Sequence, residues 1–193
     1  RIVINDLEPG ITVTARDASG NIGRASYDVP TSADWTPSFT DTQDYWAATY
    51  VDFLYSAGIT TGYEDGTFRP NQNITRAQFV QVLYNAVAPE DYTPAELTFR
   101  DVPAGKWYTN AVAWASEMGV VAGYEDGNFR PGANITREEM CVILVNYDDR
   151  ILVPNVPEMD GFAFPDDGSI SGWAKEAVYW CQGNSLVSGD ETG

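Results

Sequence analysis

The chain contains no histidine, which is the commonest general base of enzymes and the commonest zinc ligand of proteins. It has two cysteines, Cys141 and Cys181, without the CxxC spacing of many metal sites. Both lie in apolar helical runs, which favours two buried free thiols, with a disulfide bridge as the alternative. Since no nucleophile motif is present either, the sequence predicts a non-catalytic protein without metal or cofactor.

Positive charge is also scarce, with 11 Lys and Arg against 28 Asp and Glu and a net charge of −17. This balance argues against nucleic acid or an anionic membrane as a partner, because both select basic surfaces. An anionic ligand would therefore have to be held by a few well-placed arginines.

Long hydrophobic runs are missing too. No apolar stretch reaches the ~18 residues of a membrane span, so membrane insertion is not expected. No signal peptide is visible, and Arg1 does not resemble a natural start. We therefore expect the chain to be part of a longer protein.

What the sequence does contain is a repeat. Residues 59–79 recur as residues 120–140 at a constant offset of 61 positions. Hydrophobic residues make up 44% of the chain and aromatics 13%, enough for a packed core. A period that covers whole helical units is typical of repeat architectures, in which neighbouring units bury a shared core.

Each repeat reads as helix, loop, helix. Apolar residues recur at helical spacing from Trp46 to Leu54, and Gly58 is expected to end that helix with a positive φ. A turn-rich loop follows. Thr75–Gln78 and Thr136–Glu139 then form capping boxes that open the second helices.

Three repeats are predicted, the third truncated. Their expected ranges are residues 38–88, 98–150 and 162–193. The third contains a first helix and the start of a loop, but no arginine box and no second helix.

Residues 1–30 differ in character. Ile11–Ala15 alternates with period two, a turn-forming stretch follows, and β-branched residues return after Arg24, so we predict a short β-hairpin. This segment resembles the last strands of a bacterial immunoglobulin-like or fibronectin-like domain. The alternative is a β-ribbon packed on the helical part.

The repeat itself resembles the S-layer homology family. The resemblance is carried by Phe39-Thr-Asp41, by Trp46, by the loop from Gly62 to Pro70 with the pattern G-Y-x-D-G-x-F-x-P, and by Ile74-Thr-Arg-Ala-Gln78. The second repeat carries the same motifs 61 residues later. Gln78 stands where the family usually has glutamate.

This resemblance implies a mainly α fold, with helix-loop-helix repeats in a pseudo-threefold bundle. It implies a secreted, non-catalytic module at the bacterial cell surface that binds secondary cell-wall polysaccharide, typically pyruvylated and linked to peptidoglycan. Two alternatives stay open. One is a self-assembly module that contacts other surface-layer protein chains, and the other is an anchor that binds the peptidoglycan of diderm bacteria.

Arg76 and Arg137 are the first candidate ligand-binding residues. Each follows a capping threonine at the start of a second helix, where free backbone amides and the helix dipole favour an anion. A guanidinium also suits a carboxylate such as that of pyruvate. The alternative is an internal ion pair with Asp41, Asp101 or a carboxylate of a neighbouring repeat.

The remaining candidates come from equivalent positions of the repeats. The family resemblance places the leading aspartates among the binding residues, whereas the sequence alone favours a turn or a helix cap. The tryptophans are expected in the core, with sugar stacking as the alternative, and the glycines combine positive φ with close approach to a sugar. The tyrosines would line the groove or close the core. These candidates are Asp41, Asp101, Asp166, Trp46, Trp107, Trp173, Gly62, Gly123, Gly189, Tyr63 and Tyr124.

Overall fold

The structure is a computed structural model. It describes residues 36–88, 92–94, 96, 99–151 and 164–189 in full, together with the backbone of three short strands nearer the N-terminus. The strands are β1 (Val3–Ile4), β2 (Ile11–Arg16) and β3 (Ile22–Tyr27). They form an antiparallel sheet in which β2 lies between β1 and β3, with Ile11 opposite Tyr27. The predicted turn lies outside the described residues, and the immunoglobulin-like origin of this segment stays a prediction.

Five α-helices lie in the described part of the chain, which confirms the predicted helical character. The first repeat contains α1 (Ala48–Ser56) and α2 (Arg76–Val87), and the second contains α3 (Thr109–Glu117) and α4 (Arg137–Ile151). A short 3-10 turn, Asp167–Ser169, precedes α5 (Lys175–Gly183).

Local signals set the helix ends where the sequence predicts them. Thr75 Oγ1 accepts the Gln78 amide at 3.2 Å, and the Gln78 side chain accepts the Thr75 amide at 2.9 Å. Thr136 and Glu139 make the same reciprocal pair at 3.1 Å each. At the other end of α1, Gly58 adopts the expected positive φ of 70°. Both capping boxes and the glycine stop are therefore confirmed.

Helices pair across repeat boundaries rather than within repeats. The second helix of the first repeat, α2, packs on α3, the first helix of the second repeat, and α4 packs on α5 in the same way. Each packed unit therefore takes one helix from each of two successive repeats.

The larger core forms around the α2–α3 pair. Val80, Val112, Val120 and Phe129 are fully buried there, and Ala111 and Ala115 let the helices approach closely. The Trp114 ring lies edge-on to Tyr84 at 5.7 Å and to Tyr147 at 6.5 Å, which joins α2, α3 and α4. A smaller cluster, including Cys141, Phe164, Val178 and Cys181, joins α4 to α5.

The helix α1 has no such partner helix among the residues that the structure describes. Its Tyr50 is 42% exposed, whereas the equivalent Ala111 on α3 is fully buried. Tyr55 is 45% exposed on the same helix. The apolar face of α1 is thus covered less completely than the equivalent face of α3.

Within each full repeat, the leading phenylalanine packs against a loop glycine. Gly123 has a φ of 71°, and a Cβ at that position would lie 2.3 Å from Phe99 Cε1 and 2.9 Å from the Asn128 carbonyl oxygen. Gly62 meets Phe39 in the same way, at 2.1 Å. The glycine is therefore required both by its backbone conformation and by the ring beside it.

We expect Gly123→Ala to lower the free energy of unfolding by about 2–4 kcal/mol, because the strained φ and the clash with Phe99 add. Gly105→Ala is the matched control, since Gly105 has a φ of 76° and nothing within 4 Å of its Cβ position. It should cost only the backbone strain, about 1 kcal/mol. Urea unfolding followed by tryptophan fluorescence measures both. Equal losses in the two variants would contradict the packing role of Phe99.

Candidate binding site at the repeat junctions

The leading aspartates hold the loops of their own repeats. Asp41 accepts the amides of Phe68 and Arg69 at 2.8 and 2.7 Å, and Asp101 accepts those of Phe129 and Arg130 at the same distances. The Phe68 amide, more than that of Arg69, lowers the pKa of Asp41. Neither aspartate caps a helix, since the caps of α1 and α3 have no side-chain bond. The helix-cap expectation was therefore wrong for this pair.

These carboxylates stabilise an unusual backbone. Arg69 and Arg130 both have a φ of 60°, which is rare for residues other than glycine. Each side chain turns back to an aspartate of its own loop, Asp65 at 2.9 Å and Asp126 at 3.1 Å. Neither arginine is among the predicted ligand-binding residues, although an Arg-Pro step at this position is common to both repeats.

The two tyrosines connect each loop to the helix that follows it. Gln78 Nε2 donates to the Tyr63 hydroxyl at 2.9 Å, and the Tyr124 hydroxyl donates to Glu139. Arg69 and Arg130 stack over these rings, 3.8 and 4.0 Å from their centroids. These contacts hold each loop on the following helix, and the two predicted roles of the tyrosines, lining a groove or closing the core, stay predictions.

Arg76 lies inside the junction between the first and second repeats. Its side chain is 6% exposed, its Nε donates to the Phe129 carbonyl at 2.9 Å, and its NH1 lies 3.0 Å from Glu139 Oε1. The guanidinium also lies between the rings of Tyr124 and Phe129, 4.8 and 4.9 Å away. The structure thus gives Arg76 the carboxylate of a neighbouring repeat, which was the alternative to a ligand.

The contacts of this junction also shift the pKa of Glu139. Burial acts to raise the pKa of Glu139, but the Tyr124 hydroxyl, the Thr136 amide and the Arg76 charge together hold it below its usual value of 4.5. A carboxylate with a lowered folded pKa stabilises the fold fully above its unfolded pKa. That contribution is lost as the pH falls through the lower, folded value. The junction is therefore stable at neutral pH and sensitive to acid.

The start of α2 is also closed to an anion. The amides of Arg76 and Ala77 donate to the carbonyls of Ala133 and Pro131 at 2.9 and 3.1 Å. The Ile135 amide donates to the Ile74 carbonyl at 3.1 Å, so the loop of the second repeat runs along the helix start. The helix amides that an anion would need are already bonded.

Arg137 has different surroundings, although it occupies the equivalent position on α4. It is exposed, and its NH2 donates to the Ser188 carbonyl at 2.6 Å. It lines a cleft of about 150 Å³ together with Glu138, Asp166 and Gly189. The cleft brings together three of the predicted site residues, one from each of three motifs: Arg137, Asp166 and Gly189.

The tryptophans are not core residues. Trp46, Trp107 and Trp173 are 81%, 61% and 63% exposed, so the expectation of core packing was wrong. The reason is that each precedes its helix by two residues, outside the face that contacts the next repeat. Three indoles at equivalent positions remain available to a ligand.

Two negative findings concern the described residues. They contain no group of three or more Cys, Asp or Glu side chains placed to hold a metal ion. No described helix has both the length and the apolar character that crossing a membrane requires.

Both full repeats match a known protein family. Residues 38–80 and 98–141 each match the family model of the S-layer homology domain. The two full repeats are S-layer homology domains. An amylopullulanase of Thermoanaerobacterium thermosulfurigenes is 33% identical over 158 residues, which cover 81% of this chain and 8% of the relative.

Two other relatives carry the same region. A surface-layer 125 kDa protein of Lysinibacillus sphaericus is 30% identical over 141 residues, 73% of this chain and 11% of the relative. A cellulosome-anchoring protein of Acetivibrio thermocellus is 34% identical over 114 residues, 56% of this chain and 25% of the relative. This chain therefore spans a quarter or less of the length of these three relatives.

Arg76 and Arg137 occupy equivalent positions of the two S-layer homology domains but have different surroundings. Their alanine variants should therefore differ in the free energy of unfolding. Arg76→Ala should lower the free energy of unfolding by about 3 kcal/mol, because it removes a buried guanidinium from the junction and leaves the partly buried Glu139 without its opposite charge. Arg137→Ala should cost less than about 1 kcal/mol, because that side chain is exposed. Urea unfolding at neutral pH measures both. Similar losses in the two variants would show that the burial of Arg76 has no energetic consequence.

Proposed function

We propose that the chain is a non-catalytic anchoring module, carried on a secreted protein, which attaches that protein to secondary cell-wall polysaccharide at the bacterial surface. The observation that carries the proposal is the open cleft beside Arg137, in which Asp166 and Gly189 also lie. Relatives named as surface-layer and cellulosome-anchoring proteins support the same role.

The groups around the cleft fit an acidic sugar. The Arg137 guanidinium can bind a carboxylate, such as that of a pyruvyl group, through two parallel hydrogen bonds. The carboxylates of Asp166 and Glu138 would repel a bare anion but accept hydrogen bonds from sugar hydroxyls. At about 150 Å³ the cleft is smaller than the pockets of about 300–1,000 Å³ that enclose drug-sized ligands, so it would admit one sugar.

The exposed tryptophans supply the second element of the proposal. Trp46, Trp107 and Trp173 present flat apolar faces on which sugar rings can stack. They extend recognition along a polymer whose acid group is held by Arg137. In this proposal Arg76 does not contact the polymer but stabilises the junction between the repeats, because its guanidinium is bonded to Glu139.

A pseudo-threefold bundle belongs to the same proposal. The pairs α2–α3 and α4–α5 are equivalent units of helix packing, and α1 presents the face that a third pair would use. A bundle of three like units would place three junctions around one axis, with a tryptophan near the start of the first helix in each unit.

The binding test uses sacculi purified with and without their secondary polymer. The chain should sediment with complete sacculi and remain in solution after the polymer is stripped. Arg137→Ala should weaken the binding about 10- to 100-fold, because a charge-assisted hydrogen bond contributes about 1.5–3 kcal/mol. Lys106→Ala is the matched control, since it removes one positive charge from an exposed position outside the cleft.

Equal binding to complete and stripped sacculi would overturn the polysaccharide proposal. Peptidoglycan from diderm cells, included as a further arm, would then show whether peptidoglycan itself is the ligand.

One observation favours a second candidate, a self-assembly module. At the first junction, the place equivalent to the cleft is filled by protein, since the fully buried Phe129 ring packs against Phe99 in a tilted arrangement, with centroids 5.5 Å apart, and lies beside Arg76. An aromatic side chain from another surface-layer chain would fit the cleft beside Arg137 in the same way.

Light scattering over a series of protein concentrations, without glycan, separates the two candidates. An assembly module should gain mass as the concentration rises, and Val187→Trp, which fills the cleft wall, should suppress the gain. An anchoring module should keep one mass throughout. A constant mass would reject self-assembly through the cleft and leave the glycan test unaffected.

A further inference from the structure

The two cysteines meet at the junction between α4 and α5. Cys141 lies on α4 and is 1% exposed, and Cys181 lies on α5 and is fully buried. Cys181 Sγ lies 3.8 Å from the Cys141 carbonyl oxygen, so the two residues are in direct contact. Both are free thiols in the structure, which confirms the predicted burial.

The other junction shows that this contact follows from the repeat. Cys141 is equivalent to Val80, 61 residues earlier, and Cys181 is equivalent to Ala115, 66 residues earlier. Val80 and Ala115 are both fully buried in the core around α2 and α3. The α4–α5 junction therefore uses two thiols where the α2–α3 junction uses two alkyl groups.

The two thiols are chemically unlike. The neighbouring Cys181 thiol, and to a lesser extent the charge of Arg137, lower the pKa of Cys141 against the effect of burial. The same contact and burial raise the pKa of Cys181. Since the thiolate is the nucleophile in thiol–disulfide exchange, Cys141 is the better attacking group. Cys141 also forms part of the wall of the cleft beside Arg137.

We propose that Cys141 and Cys181 are a redox pair that forms an intramolecular disulfide between α4 and α5 when the chain meets a small-molecule disulfide as oxidant. The proposal depends on the helix contact and not on any ligand of the cleft. It suits a protein of the cell surface, because disulfides persist outside the reducing cytosol.

The reaction proceeds by two exchanges. The Cys141 thiolate attacks one sulfur of the oxidant, which forms a mixed disulfide and releases the first small thiol. The Cys181 thiolate then attacks the Cys141 sulfur, which forms the protein disulfide and releases the second small thiol. Two protein thiols lose two electrons and two protons, and the oxidant gains them. Because Cys141 is 1% exposed, the first step requires a transient opening of the cleft.

The bond would reinforce the junction that has the smaller buried cluster. Among the residues that the structure describes, six buried residues form that cluster, and two of them are the cysteines. The link would keep α5 on α4 and close a loop of some forty residues in the unfolded chain. Both effects oppose unfolding. The loop closure does so because it lowers the conformational entropy of the unfolded chain.

The test treats the folded chain with oxidised glutathione. The expected product loses two hydrogen atoms in mass, has no thiol that reacts with maleimide after unfolding, and gives one tryptic peptide pair joined through Cys141 and Cys181. Its Tm should lie on the order of 5–10 °C above that of the reduced chain. Dithiothreitol should restore the original Tm and both thiols.

The chain provides its own control, because Cys141→Val combined with Cys181→Ala reproduces the Val80–Ala115 pair. That variant should fold and show no change in Tm with oxidant. The proposal is overturned if the unmodified chain keeps two reactive thiols, if it stops at the glutathione adduct, or if it forms only disulfides between chains. A rise in Tm that the control variant shares would also overturn it.

Discussion

The burial of one guanidinium, that of Arg76, determines how the two full repeats join. A cation at a helix start opposes the helix dipole, so it needs compensation. Glu139, which belongs to the next repeat, supplies that compensation at 3.0 Å while it also caps its own helix, α4. Because one carboxylate does both, the position of α4 and the loop before it are fixed relative to α2. The repeat unit of the sequence is therefore not the packing unit of the structure.

The two junctions provide a comparison within one molecule. Both begin with Thr-Arg at a helix start, yet Arg76 is enclosed and Arg137 faces a cleft. The difference is the loop that carries Phe129, which fills the first junction and bonds the amides at the start of α2. The same Thr-Arg step thus gives a buried, ion-paired arginine at one junction and an exposed arginine beside a cleft at the other.

The features that the sequence predicted are local ones. The capping boxes at Thr75 and Thr136 and the positive φ of Gly58 depend on residues within one turn, so the pattern determines them. The features that it missed depend on a neighbouring repeat or on a distant loop. Asp41 was expected in a turn or at a helix cap because it precedes α1, but the amides that it binds are 27 and 28 residues away.

The tryptophans show that helical spacing of apolar residues does not by itself predict which of them are buried. Trp46 continues the apolar spacing of the helix, and a single-helix pattern cannot say whether another helix covers its first turn. Helix α1 begins two residues later, at Ala48, and Trp46 lies outside the packed face. Trp107 and Trp173 also precede their helices by two residues, so the prediction of core packing was wrong for all three tryptophans.

Charge then limits how such a surface can recognise an acidic polymer. With a net charge of −17, the chain repels an anion at long range, so attraction has to arise from contacts within a few ångströms. Several cations are already neutralised, Arg76 by Glu139, Arg69 by Asp65 and Lys175 by Asp167. Arg137 donates to the Ser188 carbonyl oxygen at the edge of a cleft, and within the part of the chain that the structure describes it forms no ion pair. In the proposed function, recognition by one guanidinium, a few acceptors for sugar hydroxyls and exposed indoles would be short-ranged, and it would select for the geometry of the sugar rather than for its charge alone.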